Sequence, residues 1–215
     1  MIKKSDLPYI IDVMNAKGYS VYVGANQLNI VGIRNFNKTV NVFNEQIAVF
    51  YKIESGWEIK LYNATTKPGL YWMRNFLNPK GTAILKEGQY VNTYAIDYHN
   101  NKYHALCQRL NKVAVYRDRN RDERFDIDPN TVEWGYFGIN IHRASAVKVL
   151  LNVDKNSAGC QVIQNPADFE ELMNLARIHK SIYGNKFTYT LITESEVFQM
   201  ALKDIKPRGI ESKNE

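Results

Sequence analysis

The stretch GINIHRASAVKVLLNVDKNSAGCQV, residues 138–162, carries the two side chains best suited to chemistry: His142 at the end of an apolar run and Cys160 in a turn of small residues. A cysteine attacks as its thiolate, and a neighbouring imidazole supplies that state by taking the proton; the free groups titrate at about 8.5 and 6.5. Acyl transfer through a thioester is the reaction such a pair performs. The two groups must then come within reach of each other. Ser157, Ala158 and Gly159 also let the backbone N–H groups of Gly159 and Cys160 approach a substrate carbonyl, as an oxyanion hole requires. The plainer alternative is a core cysteine and a strand histidine that share one third of the chain.

The elements that would hold this pair read as follows. YSVYVG, LNIVGIR, QIAVFYKIES, GWEIKLYNAT, KGTAILKEGQYVNTYAIDYH and NKVAVYRD are rich in β-branched and aromatic residues and predict strands, with a hairpin turn at Ser55 and Gly56. His142 ends the strand-like YFGINIH, and CQVI leads out of the thiol turn into another strand. A short helix is expected over residues 5–16, capped by Ser5, with Ile10, Val13 and Met14 on one face and Gly18 as its stop. A clearer helix follows the cysteine. Asn165 caps it, Pro166 takes its first position, Phe169, Leu172, Met173 and Ala176 form its apolar stripe, and Gly184 ends it. His179 falls on its polar side and is expected at the surface.

The 215 residues, 45% of them apolar, suffice for one core. The expected fold is a single α+β domain, mostly antiparallel sheet, with a few short helices. A formal charge of +6 is spread among acids and gathers in no stripe, which argues against nucleic acid as a partner. Two cysteines, Cys107 and Cys160, make no disulfide framework and read as free thiols. The N-terminal residues lack the continuous apolar segment of a secretory signal, and no run approaches a membrane span, so synthesis in the cytoplasm without a signal peptide is expected.

Two further clusters hold ligand-type residues. In DRNRDERFDID, Asp118, Asn120, Asp122 and Asp126 stand at positions 1, 3, 5 and 9 of a loop that could wrap a structural Ca²⁺ with hard oxygen ligands. Glu123 occupies the sixth position where such loops need glycine, Pro129 the twelfth, and Arg119, Arg121 and Arg124 offer a salt-bridged alternative without metal. In DYHNNKYHALCQR, His99, His104 and Cys107 lack the spacing of a closed zinc site; the histidines read as exposed turn residues and Cys107 as a strand-core thiol.

Fourteen residues separate His142 from the turn Ser157-Ala158-Gly159-Cys160. This block resembles the signature of the L,D-transpeptidase catalytic domain of the YkuD type, in which a histidine precedes a Ser/Thr-His-Gly-Cys turn by about that interval. KGTAILKEGQYVNTYAID is similar to the strand pair before that motif, and with GINIHRA and GNKFTYTLI the chain resembles a phage or prophage-encoded member. The resemblance covers residues 64–192. Residues 1–63 would then pack on or extend this core, and residues 193–215 would form a tail. It implies a β-sandwich-like fold acting on peptidoglycan stem peptides at the cell wall, with virion components as further partners and no cofactor required. It also implies Cys160 as nucleophile, His142 as base, Gly159 and Cys160 as oxyanion donors, and Ser157 within the same catalytic turn. The chain departs from the family at Ala158, where a second histidine is usual, and at Val162, where an arginine commonly follows the cysteine by two residues. Arg143, Gln161 and Arg109 are the candidates for substrate binding, the arginines because a guanidinium can hold a carboxylate bidentately. Peptide hydrolysis is favoured over crosslinking, and a catalytically silent virion or wall-binding module with the same fold is the rival.

Overall fold

The computed structural model describes residues 1–35, 37 and 39–204. Its elements, in chain order, are α1 (Leu7–Ala16), β1 (Asn29–Arg34), β2 (Glu45–Ile53), β3 (Gly56–Thr65), α2 (Leu70–Arg74), β4 (Thr82–Leu85), β5 (Gly88–His99), β6 (Tyr103–Gln108), β7 (Val113–Asp118), β8 (Glu133–Gly135), β9 (Ile141–Arg143), β10 (Gln161–Ile163), α3 (Pro166–Tyr183), β11 (Phe187–Thr193) and α4 (Glu194–Asp204). The fold is α+β and mostly strand. It is not a plain antiparallel sandwich: eight strands close a barrel in the order β1-β11-β5-β6-β9-β10-β3-β2, and β4-β7-β8 form a small separate sheet. Two barrel pairs, β1 with β11 and β9 with β10, are parallel.

Alternation along β2 shows how the layers are built. Ile47, Val49 and Tyr51 join the barrel core, whereas Ala48 and Phe50 join a second cluster beneath α1 and α4. A strand's side chains point alternately to its two faces, so a strand covered on both sides reads as a continuous apolar run. QIAVFYKI has that composition. The outer cluster is completed by Leu7, Ile10, Val13 and Met14 of α1, Val31 and Ile33 of β1, and Val197 of α4. The segment following residue 193, expected as a tail, is therefore helical as far as Asp204, its remainder lying outside the described residues. YSVYVG forms no strand, although Tyr22 is tied to Asn29 by paired hydrogen bonds.

The long helix α3 runs as expected from the Asn165 cap, whose side chain accepts the Ala167 N–H, to Gly184. Its stripe of Phe169, Leu172, Met173 and Ala176 enters the barrel core. Truncating the fully buried Leu172 to alanine would cost about 2–4 kcal/mol. His179, expected at the surface, is buried instead: its Nδ1 accepts the Leu28 N–H at 3.0 Å, and its Nε2 stands 3.3 Å from the Lys186 carbonyl. The helix stripe is wider than its apolar residues alone suggest, because a neutral imidazole with both nitrogens partnered can be buried.

Inside the barrel, the Tyr189 hydroxyl crosses to donate to Gln161 Oε1 at 2.8 Å. A β-carbon on Gly32 would lie 1.8 Å from that hydroxyl, so glycine in β1 makes room for the bridge. Among the described residues, no helix is long and apolar enough to cross a membrane.

Candidate functional site

The parallel pairing of β9 with β10 sets His142 beside Val162 and Ile141 beside Gln161. Continuing that register by one residue places Cys160 beside Asn140, two positions before His142. Residues two apart share a face, and strands about 4.8 Å apart then separate the two α-carbons by roughly 8 Å, within reach of an imidazole and a thiol. Both side chains line one cavity of about 420 Å³, shared with Trp72, His99, Asn140 and Lys155.

The thiol turn is shaped by Ser157 and Gly159. Ser157, fully buried, donates its hydroxyl to the Cys160 carbonyl at 2.8 Å and accepts the Gly159 N–H at 3.2 Å. Ser157 therefore braces the turn, and the Gly159 N–H is engaged by its hydroxyl. Gly159 has φ +121°, and a β-carbon there would lie 2.5 Å from the Ala83 carbonyl. Only glycine fits both demands.

The sulfur accepts the Asn140 N–H at 3.4 Å and donates to the Gly138 carbonyl at 3.4 Å. Among the described residues no hydrogen bond joins it to His142. His142 Nδ1 donates to the main-chain carbonyl of Arg143 at 2.9 Å. That bond sets the tautomer, so Nε2 carries the free lone pair. No hydrogen bond to His142 Nε2 is present among the described residues, and the residue lines the cavity. Burial, and secondarily His99, lowers His142 to about 3, against the opposing effect of the Arg143 carbonyl. Burial likewise pushes the Cys160 thiol up to about 11, against the Asn140 N–H. At neutral pH both groups therefore rest uncharged.

Two residues of the site escape the sequence reading. His99, expected in an exposed turn, is buried and stacks on His142 with ring centroids 4.2 Å apart and planes 21° apart. Asn140 links the whole arrangement: its Oδ1 accepts the Gln108 N–H at 2.9 Å, its Nδ2 donates to His99 Nδ1 at 3.0 Å, and its backbone N–H reaches Cys160. Asn140 could have been found from its place two residues before His142, on the same strand face. His99 carried no such local signal, since it comes from β5, two strands from His142.

The expected substrate contacts divide. Arg109 lines the cavity, ion-paired to Asp97 at 2.6 Å. Arg143 does not: its guanidinium stacks on Tyr103 at 4.1 Å, on the other face of β9. Gln161 points into the barrel, fully buried, bonded to Tyr189 and to the Gly159 carbonyl. Both placements follow from strand alternation, because the chain neighbours of His142 and Cys160 face away from the cavity that those two line.

The acidic loop lies elsewhere. Asp118 Oδ2 accepts the Asp126 N–H, the Asn120 amide donates to Asp126 Oδ2 at 2.6 Å, and Asp122 Oδ1 accepts the Arg124 N–H. Glu123 pairs with Arg74. Among the described residues no three His, Cys, Asp or Glu groups stand together as a metal site. His104 is exposed, and Cys107 is a buried free thiol donating to the Asp97 carbonyl at 3.5 Å.

Comparison with family models, curated proteins and solved structures gives no match for this chain.

Proposed function

We propose that this protein is a cysteine-dependent acyl-transfer enzyme of the L,D-transpeptidase-like kind, directed at peptidoglycan stem peptides, with hydrolysis favoured over crosslinking. The observation that supports it most is the shared cavity, lined both by a partly exposed thiol and by an imidazole whose Nδ1 is locked to a backbone carbonyl. In this reading the Cys160 sulfur attacks a peptide carbonyl while its proton passes to His142 Nε2. The developing oxyanion faces the Cys160 N–H. Collapse breaks the C–N bond, the amine leaves with the proton from the imidazolium, and a thioester remains. Water, deprotonated by the same nitrogen, then releases the acid; an amine in its place would form a crosslink. A phage-type role at the cell wall, free or carried with virion components, follows from the same resemblance.

The neutral resting pair and the missing thiol–imidazole hydrogen bond favour the second reading, a silent wall-binding or virion module. Incubating the protein with purified peptidoglycan and reading released fragments by mass spectrometry separates the two. Turnover is expected for the wild type and for Cys107→Ser, and its loss for Cys160→Ser and His142→Ala with the fold retained. Cleavage surviving Cys160→Ser would refute the assignment of the nucleophile, and binding without turnover would establish the silent module.

A further inference from the structure

The charged residues lining the cavity around Cys160, among those described, are basic. Among the described residues no aspartate or glutamate lines it, while Arg109 and Lys155 do. A second chamber of about 270 Å³ continues past Ala158, sharing Trp72, Leu77 and Phe137 with the first, and its lining adds Arg117 with no acid. The three cations differ in availability. Arg109 is ion-paired to Asp97 at 2.6 Å, and Arg117 to Glu133 at 2.9 Å beneath the Phe137 ring. Lys155 forms no ion pair among the described residues; its ammonium rests 4.4 Å from the centroid of Tyr71. The backbone at this residue is held, since the Trp72 indole N–H donates to the Lys155 carbonyl at 2.9 Å. A fixed backbone with a long flexible stem lets the ammonium leave the ring face for an anion without breaking another charge pair.

We propose that Lys155 is the substrate-anchoring cation of this site and that the preferred acyl donor carries a carboxylate close to the carbonyl that Cys160 attacks. The inference deepens the acyl-transfer reading, yet part of it can be tested without turnover. The test compares Cys160 alkylation by iodoacetate, which is anionic, with that by iodoacetamide, which is neutral, each followed by mass spectrometry of the Cys160 peptide at low salt. The ratio of the two rates in native protein should exceed that for the urea-unfolded chain. Lys155→Gln should lower the native ratio about three- to tenfold, as expected for one unit charge near a partly exposed site, and Lys155→Glu should lower it further. Lys180→Gln, on the exposed face of α3, should leave it unchanged. Added salt should reduce the wild-type preference. An unaltered ratio in Lys155→Gln and Lys155→Glu overturns the proposal, whether or not the protein cuts cell wall. Loss of wall activity with the ratio effect intact would refute the acyl-transfer reading and leave the anion site standing. Where turnover is present, short peptides amidated at the C-terminal carboxylate or at an acidic side chain identify the carboxylate that Lys155 holds: kcat/KM should fall for one of them in the wild type and no longer do so in Lys155→Gln. Equal loss in both proteins would overturn the assignment of Lys155.

Discussion

The neutral thiol–imidazole pair makes a quantitative prediction about Cys160 reactivity. Burial raises the thiol to about 11, where an unperturbed cysteine titrates near 8.5. At pH 7.5 the thiolate fraction then falls about 300-fold relative to a free cysteine, while the greater intrinsic nucleophilicity of a more basic thiolate restores about tenfold. Native Cys160 should therefore react with iodoacetamide about 30-fold more slowly than the same residue in the urea-unfolded chain. The rate should climb about tenfold per pH unit up to the highest pH at which the fold persists. His142→Ala should change this profile little, because the imidazole it removes is uncharged at rest: burial holds it at about 3. Rates would be read at the Cys160 peptide by mass spectrometry, with the buried Cys107 as an internal reference for local opening. A rate that is flat from pH 6 to 9, faster than the unfolded control and abolished by His142→Ala, would show a preformed thiolate–imidazolium pair and refute this account of the site.

Three further predictions follow from the same geometry. Gly159→Ala forces a side chain onto a positive φ and against the Ala83 carbonyl, so it should lower stability by about 2–4 kcal/mol in chemical denaturation; a loss under 1 kcal/mol would mean the thiol turn can shift freely. Because the folded protein holds His142 well below its unfolded value near 6.5, the stability this group contributes is present above pH 6.5 and lost as the pH falls towards 3; moving from pH 7.5 to 5 should cost the wild type about 2 kcal/mol more than His142→Gln, and parallel stability curves for the two would contradict the burial of a neutral imidazole. In the acidic loop, burial raises Asp118 to about 6, so its contribution runs the opposite way, present below pH 4 and lost as the pH rises through 6; with the loop acceptors engaged internally, millimolar Ca²⁺ and chelator should leave Tm unchanged at pH 7, and a rise of several degrees reversed by chelator would assign a calcium site there.

Local chemistry was legible wherever a signal is carried by neighbours in the chain. The α3 cap, its proline and its stripe follow from helical periodicity, the β2–β3 hairpin from its turn, and the thiol turn from its small residues, each of which a few adjacent dihedral angles decide. Alternation along β9 also turns Arg143 away from His142, onto Tyr103. Closure of the barrel was not legible, because each strand pairing is set by which faces several distant segments can bury together, and a run such as QIAVFYKI is equally suited to a sandwich or a barrel. The same non-local pairing decided the site. It set β9 parallel to β10 so that Cys160 and His142 share a cavity, brought His99 from β5 onto the imidazole, and turned Gln161 inward to Tyr189. The residue types able to perform acyl transfer are a property of the sequence; their depth of burial, and so their resting protonation, belongs to the tertiary structure, since desolvation depends on everything packed around a group and not on what precedes it in the chain.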